Sequence, residues 1–176
     1  AGKLLNQLLN LELKKNERMV IQGENGSGKS TLIKAMLGQN ELIAKGNLKI
    51  RENLRISYLP QDFDQLQGKL EQFAAEKEVE VQDLLAMLRK LGFERTMFDY
   101  RIEQMSMGQK RKVALARSLC EEANLYIWDE PLNYLDVITR EQIQNLVLKF
   151  KPTLLVVEHD RVFVQKIATQ TVNLKK

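Results

Sequence analysis

Val20 to Leu32 reads VIQGENGSGKSTL, and this stretch decides the fold. A short apolar run leads into a loop built on Gly23, Gly26 and Gly28, followed by Lys29, Ser30 and Thr31. Gly23, Gly28, Lys29 and Ser30 satisfy the pattern G-x-x-x-x-G-K-[ST], with a strand-like Arg18 to Gln22 before it and a helical Thr31 to Leu37 after it. Glycines suit such a loop because its backbone N–H groups must turn inward towards phosphate oxygens without a Cβ in the way. The helix that follows points its positive N-terminal end at the same anion. Lys29 is expected to reach the β- and γ-phosphates as a point charge, and the Ser30 hydroxyl to ligate Mg²⁺.

Working outward, 176 residues fit one domain with room for a substantial core. No run approaches the roughly 20 apolar residues a membrane-spanning helix needs, and no signal-type cleavage site is visible, so the expected location is cytoplasmic. Cys120 is the single cysteine and cannot form an internal disulfide; in its apolar, helix-like context it reads as an inert buried thiol. The net charge of +4, with Lys110 to Lys112 and the Lys175–Lys176 tail as basic clusters, is accounted for by a solvated face and is weak evidence for nucleic-acid binding.

Leu8 to Leu13 alternates like a half-buried strand and suggests an antiparallel hairpin with Arg18 to Gln22. Asn47 to Ile50 and Arg55 to Leu59 read as two further strands, which implies a small antiparallel sheet. The pattern from Asp62 to Leu91 is helical, with Leu84, Leu85, Leu88 and Leu91 on one face and Gly92 as a stop; Arg95 to Arg101 is an irregular bridge. A helix is expected from about Gly108 to Glu121, then a strand at Leu125 to Trp128, a helix carrying Leu146, Val147 and Phe150, and a buried strand at Leu154 to Val157. Arg161 to Ala168 continues as a helix, and Thr171 to Leu174 as a last strand.

Three further segments bear on chemistry. Asp129 and Glu130 follow the strand LYIW, which would deliver Asp129 to a strand end beside the phosphate-loop strand, as a metal ligand. Glu130, pointing elsewhere, is the candidate general base. Ser106 and Gln109 form a capping box before a helix, and that reading is compatible with an anion site there. His159 is the only histidine; a surface role and a γ-phosphate contact at a strand's C-terminal end fit it equally.

Together these motifs resemble the nucleotide-binding domain of ATP-binding cassette (ABC) proteins over nearly the whole chain. Gly23 to Thr31 is similar to the Walker A loop, Gln61 in YLPQ to the Q-loop, and Met105 to Gln109 to the LSGGQ signature, with Met105 and Met107 in place of its leucine and first glycine. Leu125 to Glu130 resembles Walker B with its catalytic glutamate, Asn133 to Asp136 the D-loop, and His159 the switch histidine. The resemblance implies an α/β, P-loop NTPase-type, mostly parallel sheet flanked by helices, with a small antiparallel β-subdomain and a helical signature subdomain. In one domain, the core would take about 1–61 and 122–176 and the helical part about 62–121. It also implies ATP and Mg²⁺. Gly23, Asn25, Gly26, Ser27, Gly28, Lys29, Ser30, Thr31, Ser106, Gly108, Gln109 and Asp136 would bind nucleotide, while Ser30, Gln61 and Asp129 would hold the metal. Glu130, His159 and Gln61 would be catalytic, in a head-to-tail pair where Ser106 and Gly108 of one domain close over ATP on the other. Base contacts would lie outside this chain or be weak, since no aromatic precedes the first strand to stack on adenine.

PLNYLD and EHDRVF are similar to the ABC-F class, whose usual form is S-H-D-R-x-F, so that Glu158 stands at the serine position. ABC-F proteins are tandem pairs that bind ribosomes, and some protect them from antibiotics; the resemblance implies one half of such a protein, and the C-terminal half is expected because no long helical interdomain linker follows the last strand. The competing expectation is the ATPase subunit of a membrane transporter. A chromosome- or repair-type ATPase head is disfavoured, because no long heptad repeat separates Lys29 from Ser106 and cysteine pairs are lacking.

Overall fold

The computed structural model describes residues 11–38, 49, 51–63 and 65–174. Its centre is a five-stranded sheet in the order β2-β3-β4-β1-β5, where β1 is Arg18–Gly23, β2 Ile56–Leu59, β3 Leu125–Asp129, β4 Leu154–Val157 and β5 Gln170–Leu174. Every pairing among the described strands is parallel. Helices α1 (Lys29–Met36), α2 (Leu70–Glu76), α3 (Val81–Lys90), α4 (Met107–Cys120), α5 (Val137–Phe150) and α6 (Arg161–Ile167) accompany it. This is the parallel, helix-flanked α/β architecture expected of a P-loop NTPase.

β4 explains why the sheet is buried on both faces. Its sequence LLVV has no polar position, and all four residues are buried, the pattern of a central parallel strand covered on each side. Leu154 and Val156 join Val20, Leu59 and Trp128 in the core shared with α4 and α5. Leu155 and Val157 join Met19, Ile21 and Ile127 in a second core that takes Ile33 of α1. Fully burying a side chain of this size contributes about 1.5–3 kcal/mol.

Several local expectations need correction. β3 does not lie beside β1: β4 intervenes, with Val157 paired to Ile21 on one side and to Asp129 on the other. Strand adjacency is a tertiary choice that neither strand's own pattern encodes. Ile56–Leu59 is no part of an antiparallel sheet but the parallel edge next to β3. Its expected companions Asn47, Leu48 and Ile50 lie outside the described residues, as do residues 8–10 of the expected hairpin and the Lys175–Lys176 tail; Leu11 to Leu13 is not a strand. The long helical reading from Asp62 splits into α2 and α3. Gly68, at φ 90°, precedes the first, and Glu78, at φ 54°, separates them.

Candidate active site

The carboxyl ends of β1, β3 and β4 carry the motif residues, where open α/β sheets place their ligands. After β1 the loop turns through Gly26 (φ 80°) and Gly28 (φ 96°), backbone conformations that L-residues resist. Gly23 is needed for a different reason: a Cβ there would lie 2.6 Å from both the Leu174 carbonyl oxygen and Ser27 Oγ. Gly28 is the N-cap of α1 and offers no side chain to its first turn. The orphan N–H groups of that turn therefore remain available to an anion. Lys29 is buried, and its Nζ donates to the carbonyls of Gly23 (2.7 Å) and Glu24 (3.0 Å). An ammonium has three donors, so one is left over. Ser27 Oγ is buried without a partner inside the same loop, while Ser30, Asn25 and Gly26 are exposed at its rim.

Asp129, at the end of β3, is only 5% exposed. Burial first, and then the neighbouring Glu130, raise its carboxyl above the usual range, while Lys29 and Arg111 pull it down. The phosphate-loop lysine and this carboxylate thus act on one another across the intervening β4. Glu130 adopts φ 50°, unusual for a residue with a side chain, and its N–H donates to Val157 O at 2.9 Å. Its Oε2 accepts from Gln61 Nε2 (2.8 Å) and Asn133 Nδ2 (2.7 Å), and its Oε1 lies 3.9 Å from His159 Nε2. Gln61, Glu130 and His159, named from sequence on three separate segments, meet around one carboxylate.

The signature and D-loop residues are placed differently. Ser106 Oγ accepts from Gln109 N at 3.3 Å while Ser106 N donates to Gln109 Oε1 at 2.8 Å, a reciprocal capping box at the start of α4. Their bonds run to each other. Gly108 abuts the D-loop: a Cβ would lie 2.7 Å from Tyr134 O. Asp136 caps α5, accepting from Thr139 N and Thr139 Oγ1 at 2.8 Å each, and pairs with Lys112 at 3.5 Å. These contacts lower its carboxyl to about 2, the Thr139 backbone N–H contributing most.

Three residues organise the site through contacts that the sequence did not indicate. Arg111 is fully buried, donates to the carbonyls of Pro60 (3.0 Å) and Gln61 (2.7 Å), and sits 4.2 Å above the Phe63 ring. It therefore fastens the backbone that carries Gln61 to α4. Asn133 holds Glu130, and Arg140 links Leu135 O (3.0 Å) to Asp160 Oδ2 (3.0 Å). A cation at every third or fourth position of a helix is ordinary, so nothing local flagged Arg111. Cys120 behaves as expected: half-buried, with desolvation pushing its thiol up to about 11.

A loop rich in left-handed glycines, an uncapped helix start and a buried lysine fit a polyphosphate. A buried carboxylate with a second acid beside it, that acid bonded by the Gln61 amide, fits a hard divalent cation with oxygen ligands.

The fold and this arrangement define a P-loop ATPase domain. A family model described as ABC transporter matches residues 6–133, well over half of the chain, and the chain belongs to that family, whose general activity is ATP hydrolysis. The ribosome protection protein VmlR of Bacillus subtilis is 36% identical over 160 residues, 89% of this chain and 29% of the relative. ABC transporter F family member 2 of Arabidopsis thaliana is 29% identical over 98% of this chain and 26% of its own length. The chain thus spans under a third of these relatives. Among solved structures, a dimeric bacterial ABC transporter cassette superposes with a TM-score of 0.75 at 25% identity, covering 95% of this chain and 84% of that one.

Proposed function

We propose that this chain is one ATPase module of an ABC-F-type protein that acts on the ribosome in the cytoplasm, in the manner of a protection factor against antibiotics. The observation that carries the catalytic part is the convergence of Gln61, Asn133 and His159 on Glu130, beside a buried Asp129 that interacts with Lys29. The ribosomal part is supported by the similarity to VmlR and to an F family member.

In this reading Gly23 to Thr31 binds the triphosphate. Backbone N–H groups take phosphate oxygens, and Lys29, anchored by two loop carbonyls, directs its remaining donor at them. Ser30 and Asp129, with Gln61, would hold Mg²⁺, which supplies charge neutralisation on the phosphate oxygens. Glu130 accepts the proton of the attacking water: its Oε2 is fixed by two amides, which leaves Oε1, on the His159 side, to do so. The water oxygen bonds to the γ-phosphorus as the bond to the β-phosphate oxygen breaks, which carries the negative charge away on the diphosphate, and His159 contacts the γ-phosphate. Ser106, Gly108 and Gln109, with Asp136, serve the nucleotide of a second ABC domain. Exposed Tyr134, Val137, Ile138 and Val162 supply apolar surface for that partner. Within one unit, about 62–121 forms the helical part and the rest the core.

Glu130→Gln should retain nucleotide binding and lower turnover by about 10²–10⁴-fold, measured as phosphate release alongside binding. Undiminished turnover would sink the catalytic assignment. The second reading, a transporter subunit, is favoured by the likeness to the transporter cassette. Sedimentation of the full-length protein separates the two: recovery with ribosomes supports the first, recovery only in membrane fractions the second.

A further inference from the structure

Glu158 places a carboxyl where the fold has little room for a polar group. It follows the wholly apolar β4 and is 5% exposed. Among the described residues no lysine or arginine hydrogen-bonds its carboxylate, although Arg111 interacts with it electrostatically; three backbone N–H groups bond it. Oε1 accepts from His159 N at 2.7 Å and Asp160 N at 3.1 Å, both in its own turn, and Oε2 accepts from Leu132 N at 3.3 Å. The two oxygens therefore face two different loops. One loop follows β4 and presents His159; the other follows β3 and holds Glu130 two residues before Leu132. Buried carboxylates are costly unless their lone pairs are filled, and hydrogen bonds to an ionised group are about twice as strong as neutral ones.

We propose that Glu158 is a positioning residue for hydrolysis: its carboxylate clamps the His159 turn to the Leu132 turn and so sets the spacing between His159 and Glu130. The separation it governs is the 3.9 Å between His159 Nε2 and Glu130 Oε1, a gap in which a small shift decides whether Glu130 meets the attacking water while His159 meets the γ-phosphate. Two other ties cross between these loops, one on each side of the Glu158 carboxylate. Glu130 N holds Val157 O, which precedes Glu158, and Arg140 ties Asp160 to Leu135, beyond Leu132. Only the Glu158 carboxylate joins the residue carrying the imidazole directly to the turn after Glu130 among the bonds described. This inference rests on the roles proposed above for Glu130 and His159.

The chemistry suggests the variant. In Glu158→Gln the amide oxygen keeps the two local N–H groups, while the NH₂ group faces the Leu132 N–H, donor against donor, so that the arm between loops is lost at nearly unchanged volume. Glu158→Ser keeps a local acceptor and is too short to reach Leu132. The measurement is ATP turnover by the full-length protein, counting the share that Glu130→Gln abolishes, in four forms: wild type, Glu158→Gln, His159→Ala and the double variant. The expected result is a loss of about 10-fold in kcat for Glu158→Gln with KM for ATP within about 2-fold, and a further loss below about 2-fold when it is added to His159→Ala. Glu158→Ser should behave like Glu158→Gln. Unchanged kcat, or the same fold loss in both backgrounds, overturns the proposal, because a general structural role would be additive. Failure of both single variants to fold overturns it too, since Glu158 would then serve stability. If Glu130→Gln and His159→Ala themselves leave turnover intact, the underlying reading of the site fails instead.

Discussion

The N-termini of α1 and α4 are both candidates for gripping phosphate, and they are finished in opposite ways. α1 begins at Gly28, in a left-handed conformation, with no side-chain cap and no acidic residue in its first turn. α4 begins at Ser106, whose side chain and that of Gln109 satisfy each other's backbone N–H groups. Every helix start has unsatisfied N–H groups, so the difference lies in who satisfies them. The first is left open to an anion from outside; the second is closed by its own residues and must exchange a cap to accept one. α5 and α6 follow the second pattern, capped by Asp136 and Asp160. Of these four ends, only that of α1 is left without a side-chain cap.

The comparison breaks most directly at Lys29. With ATP at about a hundred times its Kd, binding to α1 should add roughly 2.7 kcal/mol of apparent stability. Lys29→Ala should remove the corresponding rise in Tm, read by thermal melting with and without Mg-ATP; a preserved shift would move the phosphate site elsewhere. Gly108→Ala tests the closed end. Its new methyl would meet the Tyr134 carbonyl at 2.7 Å, so the ligand-free chain should lose about 1–3 kcal/mol in denaturant unfolding. Ser106→Ala removes the cap alone and should cost about 1 kcal/mol without nucleotide. The α1 end offers no equivalent loss, because no side chain caps it.

The smallest effect is acid dependence at Asp136. Its carboxyl is held at about 2 in the folded chain, below its ordinary value near 4. A depressed carboxylate contributes stability above its unfolded value and loses it as pH falls towards the folded one. Wild type should therefore lose stability between about pH 4 and 2 more steeply than Asp136→Asn, in urea melts across that range. The side chain is 58% exposed, so solvent screening keeps the difference modest.

What was legible in the sequence was what repeats locally. Gly23 to Ser30, the apolar strands ending at Asp129 and Glu158, and the Ser106–Gln109 box each declare themselves within a few residues. The order of strands did not: LLVV reads as buried, but nothing in it says that it separates β1 from β3. The roles of Arg111 and Asn133 were hidden for the same reason, since Arg111 acts on carbonyls about fifty positions away and Asn133 on a glutamate folded back in a left-handed turn. Gln61, Glu130 and His159 were nameable by motif; that they meet on one carboxylate required the fold.

Trp128, the chain's only tryptophan, sits fully buried in β3 immediately before Asp129, and its indole N–H donates to Ser118 Oγ of α4 at 2.9 Å. That placement gives the domain an intrinsic optical reporter. Any sliding of α4 against the sheet alters the indole's polar partner, so emission wavelength and quenching would follow signature-helix movement during turnover without an attached dye.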